Sequence, residues 1–203
     1  MNLPGIVARA IVLTSITLAV AGVNWANEIK GKVSVQGIKS SENIAVYVDA
    51  LPGKKFDPPA QHAVIDQRRM TFVPRVTVVL HGTTVDFVNS DAVGHNVYWP
   101  SISGNKKLAH NLGIWPKGEK KSFQFNDPGV AALLCNVHPE MSAYIVIAST
   151  PYFAVTDMDG SFEIENIPPG TDTLKTWSED GKVTIQPVTV AGGTANVELT
   201  VKK

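Results

Sequence analysis

Cys135, His138 and Met141 follow one another at intervals of three residues in "LLCNVHPEMSAY", Leu133 to Tyr144. They bring a thiolate, an imidazole and a thioether into one short stretch. Cys135 is the only cysteine among 203 residues, so no disulfide within the chain can occupy it. It ends an apolar run, "VAALLC", and Pro139 just beyond cannot continue a strand ladder. The chain must curl there and turn its three donors towards one point. Two imidazoles and a thiolate in a plane, with a weak axial thioether, make a blue-copper donor set. Zinc suits these residues less well, because its tetrahedral sites use cysteine and histidine without thioether. Taken singly, each residue also has an ordinary reading: a small buried hydrophobe, a loop histidine and a core filler.

The set needs one more imidazole. The chain has five histidines, His62, His81, His95, His110 and His138. His95 follows "VDFVNSDAVG" and opens "HNVYW", just beyond a predicted strand, where it can meet the Cys135 loop at one end of a sandwich. His62, His81 and His110 lie in turn-like or charged surroundings and read as surface histidines.

The elements that must carry these residues are strands. Short runs rich in Val, Ile, Thr and Phe alternate with turn residues, which indicates an all-β chain built as sandwiches or barrels. "RVTVVLHGTTVDFVN" reads as two strands around His81 and Gly82, with Val76, Val78 and Leu80 on one face and Val85 and Phe87 on another. "KKSFQFN" turns Phe123 and Phe125 inward, and "AYIVIAS" and "ANVELTV" continue the pattern. "ALPGKKFDPPAQ" reads as a loop, and so does the long "WPSISGNKKLAHNLGIWPKGEK" with a Trp-Pro pair near each end. A connection of that length in a small β domain is often functional.

Two segments resemble the cupredoxin family. "FVPRVTVVLHGTTVDFVNSDAVGHNV", Phe72 to Val97, looks like the approach to the first copper histidine, and "PGVAALLCNVHPEM", Pro128 to Met141, like the ligand loop. The likeness spans about residues 62 to 148, and the Cys-x-x-His-x-x-Met spacing is the short, amicyanin-like form. The resemblance implies a Greek-key sandwich holding one type 1 copper. It implies His95, Cys135 and His138 as equatorial ligands and Met141 as the axial one. Asn96, after the first histidine, would tie the two ligand loops together and donate its N–H to the Cys135 sulfur. Many members have proline before the second histidine. Val137 stands there instead and keeps an N–H that proline lacks. A second N–H···S bond from Val137 would stabilise the thiolate and favour Cu(I).

After residue 150, "DMDGSFEIENIPPGTDTL" resembles the carboxypeptidase-regulatory-like, or transthyretin-like, β-sandwich. Asp159-Gly160 reads as a tight hairpin turn. Asp157 and Asp159 lack the companions of a calcium loop. The opening strands of that module are absent after residue 150 but occur at Gly31 to Val33 and Ala45 to Val48. The expected organisation is therefore a split second sandwich, residues 27–55 plus 150–203, with a cupredoxin at 56–149 inserted into it. Insertion at a loop is physically inexpensive when the insert's ends lie close together. Tandem domains, with the early strands joining the cupredoxin, are the other arrangement.

The first 26 residues carry Arg9, an apolar run from Ala10 to Val23 and the small residue Ala26. They read as a signal peptide, with an uncleaved anchor as the other possibility. No later segment is apolar enough to span a bilayer. Lys plus Arg and Asp plus Glu both number 18, so zero net charge gives no electrostatic case for nucleic acid. The expectation is a periplasmic or secreted copper electron carrier serving a redox partner protein. His138 would be its electron port, with Pro139 and Trp99 or Trp115 in an apolar rim. No base, nucleophile or open metal position points to an enzyme. A copper-handling protein with the same ligands, or a structural module without a redox role, are the alternatives.

Overall fold

The computed structural model describes residues 27–203, so the expected leader lies outside the described residues. The described chain is all-β, as expected, with one 3-10 turn at Lys106–Leu108. Its strands are β1 (Glu28–Gln36), β2 (Ala45–Val48), β3 (Ala63–Arg68), β4 (Thr71–Val73), β5 (Val76–Leu80), β6 (Thr83–Asn89), β7 (His95–Trp99) and β8 (His110–Trp115). They continue as β9 (Lys120–Phe125), β10 (Gly129–Leu134), β11 (Ser142–Ala148), β12 (Phe153–Val155), β13 (Ser161–Ile164), β14 (Gly170–Trp177), β15 (Ile185–Val190) and β16 (Thr194–Lys202).

Four sheets form two sandwiches. The first packs β4-β3-β6-β9 against β5-β11-β10-β7-β8. Phe87, Trp99, Trp115, Phe125, Leu133, Ile145 and Met141 fill the space between these sheets. The second packs β13-β1-β16 against β12-β2-β14-β15 over Ile29, Val46, Ile164, Leu174 and Leu199. β1 pairs with β13 and β16, and β2 with β12 and β14, so the early strands complete the sandwich built by the chain after residue 150. Gly31 permits a close approach of the strands in this assembly. A Cβ there would stand 2.4 Å from the Val197 carbonyl oxygen and 2.7 Å from the Phe162 ring.

A third apolar layer joins the sandwiches. Val76, Val78 and Val146 of the first meet Ala45 of the second, with Tyr144, Phe153 and Trp177 packed around them. The face of β5 with Val76 and Val78 therefore looks towards the second sandwich, while Val79 from the other face joins the first core.

Three local expectations are corrected. The long connection after Trp99 contains β8, which pairs with β7 at the sheet edge. Its polar and glycine-containing sequence, "HNLGIW", is mostly not buried, so it has no apolar alternation to read. The Asp159-Gly160 turn does not close a hairpin, because β12 and β13 belong to different sheets. The turn carries the chain across the second sandwich, with Asp157 accepting from the Ser161 N–H at 2.9 Å and Gly160 at φ 86°. Trp99 and Trp115 form no rim. They are 0% and 1% exposed, and Trp99 gives its indole N–H to the Leu108 carbonyl at 3.0 Å.

Asp86 on β6 anchors the open side of the first sandwich. Hydrogen bonds from Lys120 and Ser122 hold its carboxyl down to about 2 against the opposing effect of burial, with His62 adding a smaller contribution. A carboxyl held below its unfolded value of about 3.9 stabilises the fold fully above that pH. That stabilisation is lost as pH falls through the folded value. Urea unfolding should therefore show stability dropping from about pH 4 to about pH 2. Asp86→Asn should flatten that part of the profile and leave its shape near neutrality unchanged.

Candidate metal centre

The site sits at one end of the first sandwich, where two loops meet. The first loop, residues 90–94, joins β6 to β7 and is organised by the fully buried Asn89. The Asn89 amide donates to the carbonyls of Val93 at 2.8 Å and Trp115 at 2.9 Å, and its side-chain oxygen accepts from the Asp91 N–H. These bonds place His95 at the start of β7, opposite Trp115 on β8 and buried.

The second loop, residues 135–141, joins β10 to β11. It is closed at its base by the pairing of Leu134 with Ser142. Leu134 also pairs with Tyr98 on β7, so the chain leaving β10 at Cys135 runs alongside the start of β7, where His95 lies. Inside the loop the Met141 N–H bonds to the His138 carbonyl at 3.0 Å and turns the chain back. The Asn136 N–H reaches the Asn96 side-chain oxygen at 3.2 Å. Asn96 thus ties the two loops together through its side chain, whose amide is itself held by Asn111 and Gly113.

The result is a convergence of His95, Cys135 and His138, with their donor atoms all within 4.8 Å of one another. The two imidazoles face each other through Nδ1 atoms 3.0 Å apart. Cys135 is a free, buried thiol. Met141 is completely buried in the same core cluster as Cys135, and His138 is half-buried. His62 bonds to Asp86 instead, and His110 stacks on Phe123 and Trp99, so neither joins the group. Val137 is exposed on the loop.

One residue of the site is not singled out by sequence reasoning. Asp91 accepts from His95 Nε2 at 2.9 Å and from the backbone N–H groups of Arg69 and Met70 at 2.6 and 2.8 Å. Burial alone would push its carboxyl up. Donation from Met70, Arg69 and the His95 ring outweighs this and holds it below the usual carboxylate range. An ionised Asp91 requires His95 to carry its proton on Nε2. That leaves the Nδ1 lone pair directed at Cys135 and His138. A carboxylate behind a histidine in this way fixes tautomer and ring orientation and raises donor strength. The only signal in the sequence is an Asp four residues before His95 in a loop, which is too common to be diagnostic.

These residues fit copper. The donors are a thiolate and two imidazoles, a thioether is buried in the same core cluster as the thiol, and one imidazole is set in its ligating tautomer before any ion binds. Residues 60–148, which span the whole first sandwich, match the family model of copper binding proteins of the plastocyanin/azurin family. Among solved structures the chain is similar to a reduced tryptophan-to-tyrosine mutant of amicyanin, at 25% identity over 44% of this chain and 84% of that one, with a TM-score of 0.40. It is also similar to a Cu(I) methionine-to-alanine mutant of amicyanin, at 22% identity over 50% of this chain and 97% of that one, again with a TM-score of 0.40. No curated protein matches the chain. The family match supports a cupredoxin in the first sandwich and copper as its metal. Asp91→Ala should weaken metal affinity by about 10- to 100-fold in a Co(II) or Cu(II) titration, with the fold retained by circular dichroism.

Proposed function

We propose that this chain is an exported electron-transfer protein with one type 1 copper, held by His95, Cys135 and His138 with Met141 as the axial donor. The observation that carries this reading is the convergence of His95, Cys135 and His138 in a buried site, with the His95 tautomer already set by Asp91. Copper supplies the one-electron Cu(I)/Cu(II) couple. The chain's own residues do the rest. Asn89, Asn96 and Asp91 fix the donor positions, so little rearrangement need accompany a change of charge. Trp99, Trp115, Phe87 and Phe125 exclude water from below. In this reading the N–H groups of Asn96 and Val137 would donate to the Cys135 thiolate and stabilise its negative charge, whereas the bonds seen at Asn96 are those of its side chain.

His138 is the half-buried member of the set and the electron port. Met70, Val93, Ile114 and Val137 are exposed apolar side chains on segments adjoining it, and Pro139 is exposed beside it. In this reading these side chains take the rim role expected of the two tryptophans. An apolar contact around the port suits brief docking of a redox partner protein. Export is supported by the signal-like N-terminal sequence, and no described helix is long and apolar enough to cross a membrane. Residues 27–55 and 150–203 are proposed as one domain carrying the cupredoxin as an insert, supported by the pairing of β1 and β2 with β12, β13, β14 and β16. No catalytic activity is proposed.

Titration with Cu(II), watched in the visible and by EPR, tests the reading. Wild type should develop an intense thiolate-to-copper band that ascorbate bleaches reversibly, and Cys135→Ala should not. Colourless, readily exchanged copper would indicate metal handling instead, and no binding would indicate a structural role. Val137→Pro removes one N–H and should lower the reduction potential in voltammetry. An unchanged or higher potential would exclude the Val137 bond.

A further inference from the structure

The two sandwiches are joined by more than apolar contact, and the polar part of the joint ends beside the metal loop. Arg75, between β4 and β5, gives its guanidinium to three acceptors. One nitrogen donates to the Ser142 carbonyl at 3.2 Å and to the Ser142 hydroxyl at 3.3 Å, and the other pairs with Glu179. Glu179 lies just after β14, in the second sandwich. Its other oxygen accepts from the Tyr144 hydroxyl at 2.7 Å. The Tyr144 N–H bonds back to the Arg75 carbonyl at 2.8 Å, and its ring lies 4.8 Å from that of Trp177. Arg75 and Glu179 thus hold Ser142 and Tyr144 at the start of β11, and Ser142 directly follows Met141.

The position matters because of how an axial thioether binds. The bond is weak and long, so it cannot pull the backbone into place. Its length follows from where the backbone holds the methionine. The base of the loop has two anchors: the strand pairing of Leu134 with Ser142, and the Arg75 grip on the Ser142 carbonyl and hydroxyl. The first belongs to the cupredoxin alone. The second is held in place by a carboxylate from the other sandwich.

We propose that Glu179 is a positioning residue: through Arg75 it fixes Ser142, and with it the backbone carrying Met141, so that the second sandwich sets the geometry of the metal site in the first. The proposal rests on the reading of Met141 as axial donor. It gives the second sandwich a task at the site that none of its residues touches. The Arg75 and Glu179 side chains are 43% and 41% exposed, so the effect is a modest one of geometry rather than a large one of stability.

The test uses the full chain with Glu179→Gln, which keeps size and removes charge, and Arg75→Lys, which removes the fork. Phe153→Leu serves as control, because it thins the same inter-sandwich layer and makes none of these bonds. Two readouts are taken: amide hydrogen exchange of residues 142–144 in the metal-free protein, and the EPR rhombicity and visible band ratio after Cu(II) loading. Glu179→Gln and Arg75→Lys should speed exchange there by about threefold, the size expected of a partly exposed ion pair. Both should also shift the EPR pattern and band ratio in the same direction. The control should lower the melting temperature and change neither readout. Normal copper binding with spectra and exchange unchanged in Glu179→Gln overturns this proposal alone, as does an equal shift in the control. Failure of wild type to bind copper overturns the metal reading beneath it.

Discussion

The hydrogen bond from the His95 ring to the Asp91 carboxylate decides which nitrogen of that ring faces the sulfur of Cys135. A neutral imidazole has one donor and one acceptor nitrogen, and the acceptor is free to bind a metal only if the proton sits on the other. Asp91 secures this because it is secured itself. Two backbone N–H groups from the Arg69-Met70 turn hold its oxygens, and its own N–H is held by Asn89. The hairpin of β3 and β4, the loop before β7 and the edge strand β8 are thereby locked around one ring. Without that lock the two imidazoles, 3.0 Å apart through Nδ1, would have no fixed assignment of protons between them.

The second loop depends on the same end of the sheet. Cys135 and Met141 are brought to His95 by a strand ladder, β7-β10-β11, and the loop is short enough that its two ends are paired with each other. β11 has a double duty. One face, with Ala143, Ile145 and Ile147, closes the core beneath the site, and the other, with Tyr144 and Val146, packs towards the second sandwich. A strand shared in this way transmits position between two bodies that share no ligand. That is the physical reason a carboxylate such as Glu179 can bear on a site in the other sandwich.

The pairing of Cys135 with His138 in one site was legible in the sequence because cysteine and histidine are scarce and stood in one loop. His95 could be picked from five histidines by its place after an apolar strand. The all-β class was legible from alternation in segments such as "KKSFQFN", where Phe125 is indeed buried. The edge strand β8 was not, since a strand with one bare side and a glycine has no alternation to show. Trp99 and Trp115 were misplaced because proline after an aromatic signals a turn without saying which side the ring takes. Asp91 and the Arg75–Glu179 pair were invisible for another reason. Their partners lie 21 to 104 residues away, or in a loop whose shape has no local signature. Polar residues of this kind acquire meaning only when the fold brings their acceptors and donors together.

A metal site built before the metal arrives should hold its shape through a change of oxidation state. X-ray absorption at the copper edge, on wild type loaded and then poised as Cu(II) and as Cu(I), reads that shape. Two nitrogen donors and one short thiolate sulfur are expected in both states, with the same coordination number and nearly the same distances. A copper that loses its thiolate sulfur, or that changes the number of its donors between the two states, would contradict it.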